Sequence, residues 1–376
     1  MRILMTGGGT AGHVNPALAI AATIQEKQPD AEIAFVASAL PNDKAVDLVP
    51  RAGYTLETVH IRGAVRPLWK PANLKLPFVM AKSLGEAESI VDAFRPDLIV
   101  GTGGYACWPT CRTGIKKGIP TVLHESNALP GLAVRKLKSR ADLVLVNFSE
   151  TLERLGLSEG GSRPQAARVG NPIMPGFCRM SREEARARLG LSPSDLYVLA
   201  FGGSGGAENL NDATVKLASA LTESPRVRLT LAAGKRDYPR IRADWAASPA
   251  GSCPRMELLE YIYDMPDRMA AADLVISRAG AMSISELALT GKASVLIPSP
   301  HVAENHQFKN AMALVKEGAG LCVEESTLPG GALTQTVQNL LEDARRREEM
   351  GQRIREGFAC PDANQNIYYR LMGLLR

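Results

Sequence analysis

The residues of this chain that could do chemistry fall in a few short stretches. His13 closes the run Gly7-Gly8-Gly9-Thr10-Ala11-Gly12. An imidazole there suits proton transfer near neutrality, and equally a plain backbone hydrogen bond at a helix end. His124-Glu125-Ser126-Asn127 is a second polar cluster, again after a strand's carboxyl end. In residues 277–310, Glu286 stands one turn into a helix, where a carboxylate can accept two hydrogen bonds from a sugar diol. The same residue completes Ser283-x-x-Glu286, the form of a capping box, and taken alone this helix points to the cap. His306 and Gln307 open the next helix and on their own read as surface polar residues.

Each cluster follows a short apolar run that reads as a buried parallel strand. Strands are expected at 3–6, 33–37, 54–61, 97–100, 119–123 and 143–146. After the turn Val169-Gly170-Asn171-Pro172 they resume at 197–201, 227–232, 256–260, 274–276 and 294–297. The first strand leads through the glycine run into a helix with Pro16 in its first turn. That opening recurs after residue 201 as Gly202-Gly203-Ser204-Gly205-Gly206 and a helix from Ala207. Open parallel sheets bind ligands at the carboxyl ends of their strands, and a helix start there suits phosphate. Gly7, Gly9 and Gly12 match the dinucleotide fingerprint, but the second strand ends in Ser38-Ala39-Leu40 with no acid for a ribose. The loop therefore reads as a phosphate or substrate cradle ahead of a nicotinamide site. Two such openings imply an α/β chain of two Rossmann-like, doubly wound domains with their glycine loops facing a cleft, divided near Pro172. That architecture suits transfer of an activated sugar.

The totals agree. A chain of 376 residues, 45% apolar with net charge +5, has room for two or three domains and no strong electrostatic signature of nucleic acid. Its six cysteines lack a metal-ligand pattern and read as reduced thiols; no acidic metal-binding pair is apparent. The chain opens directly on a strand, and no run approaches a membrane span.

Taken together, GGGTAGHVNPALAIA, GTGGYACWP, HESNALPGLAVRKL, VGNPI, FGGSGGAENLN and SRAGAMSISE…HVAENHQFKNA resemble the MurG family over essentially the whole chain. These are bacterial UDP-N-acetylglucosamine:undecaprenyl-diphospho-N-acetylmuramoyl-pentapeptide N-acetylglucosaminyltransferases. The resemblance implies a GT-B fold, with an acceptor domain over 1–172 joined by the final helix at 361–376, and a donor domain over 173–360. It implies an inverting transfer to the acceptor 4-hydroxyl without a cofactor. Ala281, Met282, Ser283, Ile284, Ser285 and Glu286 are then expected on the donor, with Glu286 on the ribose hydroxyls. Ile262 is expected at uracil, Ser204 at the diphosphate, and His306 and Gln307 at the N-acetylglucosamine hydroxyls. Thr10, Ala11, Gly12, His13 and Asn127 are expected to close over the sugar, with His13 as base and Glu125 as second choice. Met174 stands where the family often carries Arg, and Gly205 where Gln is frequent. A non-hydrolysing UDP-GlcNAc 2-epimerase is the alternative of similar shape; a nicotinamide oxidoreductase and a non-catalytic sugar-nucleotide sensor are further ones.

A lipid-linked acceptor and no membrane span imply peripheral docking. Residues 62–82 hold five basic and no acidic side chains, interleaved with Leu68, Trp69, Leu74 and Phe78. Trp69, Lys70, Lys75 and Phe78 are thus expected on an anionic membrane, at the cytoplasmic face of the bacterial plasma (inner) membrane. Other cell-wall synthesis proteins are expected as partners there, and roles in cell shape and division would follow.

Overall fold

Continuous apolar runs make strands when helices cover both faces of a sheet. The computed structural model describes residues 1–63, 71–161, 164–178, 180–203, 205–302 and 305–375. Two units result, one of Met1–Pro175 with Cys360–Arg376, the other of Gly176–Ala359.

The first unit carries β1 (Arg2–Gly7), β2 (Glu32–Ser38), β3 (Thr55–Val59), β4 (Leu98–Gly103), β5 (Thr121–Glu125), β6 (Leu143–Val146) and β7 (Gln165–Arg168). Between them run α1 (Ala11–Lys27), α2 (Ala45–Arg51), α3 (Leu76–Phe94), α4 (Cys107–Lys116), α5 (Leu132–Leu137) and α6 (Ser149–Leu155). The sheet order is β3-β2-β1-β4-β5-β6-β7, with each pairing parallel. Successive side chains alternate between faces. Ile3 and Met5 join one buried cluster with Val14 and Ile20, and Leu4 joins the other with Ile99 and Leu123. Cys107 and Cys111 are free thiols, both buried in the second cluster.

The second unit carries β8 (Leu196–Phe201), β9 (Val227–Ala232), β10 (Met256–Leu259), β11 (Leu274–Ser277), β12 (Ser294–Leu296) and β13 (Leu321–Cys322). Its helices are α7 (Arg182–Arg188), α8 (Glu208–Leu221), α9 (Tyr238–Ala247), α10 (Met265–Ala271), α11 (Ala281–Thr290), α12 (His306–Lys316), α13 (Ala332–Glu342) and α14 (Ala344–Phe358). The order β10-β9-β8-β11-β12-β13 is again fully parallel and repeats the winding of the first unit.

The last helix, α15 (Ala363–Gly373), belongs to the first unit, where Ile367 and Leu371 enter the α1 cluster. Asn364 Oδ1 accepts from Ile173 N at 2.9 Å, and its Nδ2 donates to Ile173 O at 2.8 Å and Thr23 Oγ1 at 3.0 Å. Two local expectations change. Pro16 lies inside α1, which begins at Ala11, so it is past the first turn. The helix after β11 begins at Ala281 with Gly280 as its N-cap, so Ser283 does not start it.

Candidate active-site loops

In each sheet the winding reverses between two neighbouring strands, β1 and β4 in one, β8 and β11 in the other. The carboxyl ends of such a pair open a crevice where ligands bind. All four glycine-containing loops of the sequence reading lie at these ends.

In the first unit, the loop after β1 and the loop after β4 interlock because both are glycine. A Cβ on Gly104 would stand 2.3 Å from Gly8 O, and one on Gly103 would stand 2.6 Å from Cδ2 of His13. Both residues have positive φ, 83° and 108°. Thr102 Oγ1 donates to His13 O at 2.7 Å. His13 Nδ1 lies 3.3 Å from Gly8 O, an acceptor, so the ring proton sits on Nδ1 and the Nε2 lone pair is left to accept. Thr10 and Gly12 are exposed beside it, and Ala11 is half-buried.

Glu125, considered above as a base, is buried and already engaged. Its Oε1 accepts from Asn127 N at 3.0 Å and Nδ2 at 3.1 Å, and its Oε2 accepts from Gly131 N at 2.7 Å. These bonds shape the 125–131 loop and present Asn127. His124 is buried, with Nε2–H donating to Gly170 O at 3.0 Å; burial lowers it to about 4, so it is neutral. An acid does reach the end of β2. Asp43 accepts from Ser38 N at 3.2 Å, Ser38 Oγ at 2.5 Å and Ala45 N at 3.0 Å. It is spent on the protein rather than offered to a ribose.

In the second unit, Ala281, Met282 and Ile284 of α11 are buried, while Ser283, Ser285 and Glu286 are half-buried. No capping box forms at Ser283; the pattern is realised elsewhere, at Ser181 and Glu184. The Glu286 carboxyl shows no hydrogen bond or ion pair among the described residues. It keeps part of its surface open, yet protein surrounds it on the other sides, and burial pushes it up to about 8. A half-buried carboxyl without a partner is an expensive feature to keep. Asn310 Nδ2 donates to Ala279 O at 3.1 Å, tying α12 to the turn before α11. Gln307 Oε1 accepts from Ser299 N at 2.9 Å, leaving its amide group to donate, and His306 is half-buried beside it. Ile262 is buried after β10, at the same carboxyl edge of the sheet. Ser204 lies outside the described residues, and the helix after its loop begins at Glu208. Sequence reasoning missed Thr102, Asn310, Arg278 and Glu325. The first three stand inside motifs already quoted, whereas nothing in the sequence ties Glu325 to Arg278, 47 residues away.

On the membrane-facing expectation, Trp69 and Lys70 lie outside the described residues. Leu74 and Phe78 are 78% and 79% exposed, and Lys75 and Lys82 are exposed beside them. No helix among the described residues is long and apolar enough to cross a membrane.

Comparison with known proteins places this geometry. A UDP-N-acetylglucosamine--N-acetylmuramyl-(pentapeptide) pyrophosphoryl-undecaprenol N-acetylglucosamine transferase of Moorella thermoacetica is 38% identical over 355 residues, 93% of this chain and 92% of the relative. The protein of the same name from Acetivibrio thermocellus is 35% identical, with 100% and 99% of the two chains covered. The crystal structure of Acinetobacter baumannii MurG matches with TM-score 0.72 at 26% identity, covering 99% of both chains. A UDP-GlcNAc 2-epimerase from Neisseria meningitidis matches with TM-score 0.65 at 12% identity, covering 99% of this chain and 100% of that one, a likeness of fold alone. The two Rossmann-like domains are those of the GT-B fold. The glycosyltransferase family 28 N-terminal domain matches residues 3–146 and its C-terminal domain residues 197–367, and the chain belongs to glycosyltransferase family 28.

Proposed function

We propose that this protein transfers N-acetylglucosamine from UDP-N-acetylglucosamine to the 4-hydroxyl of undecaprenyl-diphospho-N-acetylmuramoyl-pentapeptide, with inversion. Full-length relatives named for that reaction support the substrates. The structural observation that carries the reading is Glu286, a half-buried carboxyl with no partner among the described residues, one turn into a helix at the strand switch point. A ribose diol supplies the two donors such a carboxylate lacks.

The second unit then holds the donor and the first the acceptor. His13 Nε2 takes the proton of the acceptor 4-hydroxyl, whose oxygen attacks the anomeric carbon in line. The bond from that carbon to UDP breaks, and its electron pair leaves on the diphosphate. The N-terminal ends of α8 and α11, each worth about half a positive charge, stabilise that leaving group. Ile262 lies against the base, and His306 and Gln307 bind the sugar hydroxyls. Thr10, Ala11, Gly12 and Asn127 are sugar-binding residues of the first unit, with Glu125 holding the loop that presents Asn127. Docking on an anionic membrane at the cytoplasmic face of the plasma membrane uses Leu74, Lys75, Phe78 and Lys82, whose exposure beside one another supports it.

The test is UDP release from UDP-N-acetylglucosamine with and without lipid-linked muramoyl-pentapeptide. Release that requires the acceptor is expected. Conversion of UDP-N-acetylglucosamine without any acceptor would establish an epimerase instead, and binding without turnover a sensor.

A further inference from the structure

Beyond the residues expected on the donor, a largely buried ion pair links the turn into α11 to a carboxylate that also reaches the start of α8. Arg278 directly follows β11 and precedes the Ala279-Gly280 turn into α11. Its Nη1 donates to Ile297 O, just past β12, at 3.1 Å, and to Glu325 Oε2. The side chains of Arg278 and Glu325 are only 14% and 9% exposed. The other carboxylate oxygen, Glu325 Oε1, accepts from Asn209 Nδ2 at 2.6 Å. Asn209 is the second residue of α8, the helix that follows the loop Gly202–Gly206. One carboxylate therefore fixes the turn that opens α11 against the start of α8.

Charge-assisted bonds from a part-buried guanidinium and an amide are directional and stiff. The helix starts they brace stand at the carboxyl ends of β8 and β11, the adjacent strands of the switch point. A diphosphate held by both starts depends on their spacing to within fractions of an ångström. We infer that Glu325 is a positioning residue for the nucleotide diphosphate, setting the spacing of the two helix starts through Arg278 and Asn209. This rests on the proposed donor site and deepens it.

The experiment compares Glu325→Ala, Glu325→Gln and Asn209→Ala with the parent protein. It measures thermal melting, UDP affinity by calorimetry, and separate KM values for donor and acceptor. Glu325→Ala is expected to weaken UDP binding and raise the donor KM about tenfold, the loss of one charge-assisted hydrogen-bond pair, with the acceptor KM unchanged. Glu325→Gln keeps an acceptor for Arg278 and an amide able to pair with Asn209, so it should stay within about threefold of the parent. Asn209→Ala should fall between the two. A folded Glu325→Ala protein with unchanged UDP affinity would overturn the inference, as would a Glu325→Gln protein as weak as Glu325→Ala. If the parent protein itself fails to bind UDP, the donor site is wrong; if it binds and the variants match it, only the role of Glu325 is.

Discussion

Glu286 is held by burial in its neutral form, whereas a ribose diol favours the ionised one. The two requirements give a proton signature. With its carboxyl pushed from 4.5 to about 8, the free protein carries the proton at pH 7. UDP binding at that pH should release close to one proton, read as heat differences between buffers of unlike ionisation enthalpy. Glu286→Gln should release none and bind UDP much more weakly. The sign for stability runs the same way. The fold holds this proton up to about 8 and the unfolded chain only to its ordinary value near 4.5, so the contribution to stability falls as pH rises through that window. Melting of the Gln variant should therefore vary less with pH there. His13 is tested differently. With Nδ1 engaged by Gly8 O, its Nε2 is the available base. His13→Ala should lower kcat about a hundredfold or more while the donor KM stays within a few-fold. A lost donor affinity with turnover intact at saturation would make it a binding residue.

At the scale of elements, α3 carries a test of membrane docking. Phe78 is almost fully exposed in its first turn, and Lys75 precedes it. Each cation near anionic lipid contributes about 1 kcal/mol, and an inserted aromatic adds more. Lys75→Glu with Phe78→Ser should weaken binding to anionic liposomes at least tenfold or so and leave UDP affinity alone. Unchanged liposome binding would place the docking surface elsewhere. What the sequence revealed of these elements follows their chemistry. Strands such as Leu143–Val146 were legible because a parallel sheet with both faces covered needs an unbroken apolar run. Gln165–Arg168 was not, since only its two central residues are buried, and Leu321–Cys322 is too short to show a pattern. The capping-box motif misplaced a helix start at Ser283 yet is real at Ser181, because the backbone at Gly280 already turns the chain. The candidate site could be read from sequence where its residues share one loop, as around His13, and was hidden where partners are distant in sequence. Thr102 under His13 and Glu325 under Arg278 are of that second kind.

At the scale of the molecule, the first unit is assembled from both ends of the sequence, Met1–Pro175 and Cys360–Arg376. Ile367, Tyr368 and Leu371 of α15 fill its cluster against α1, and Asn364 fastens the helix to Ile173 and Thr23. Each apolar side chain of that kind contributes about 1.5–3 kcal/mol when fully buried. Removing residues 360–376 should therefore make the first unit open to protease while the second still binds UDP; equal resistance in both proteins would count against this. The arrangement also orders events on the ribosome. Residues 360–376 emerge only after the whole second unit has been made, so nascent chains pass through a stage with a complete second unit and an unfinished first. A translation product cut short at its end would bind nucleotide and carry out no transfer, and the uncovered face of α1 would mark it for degradation.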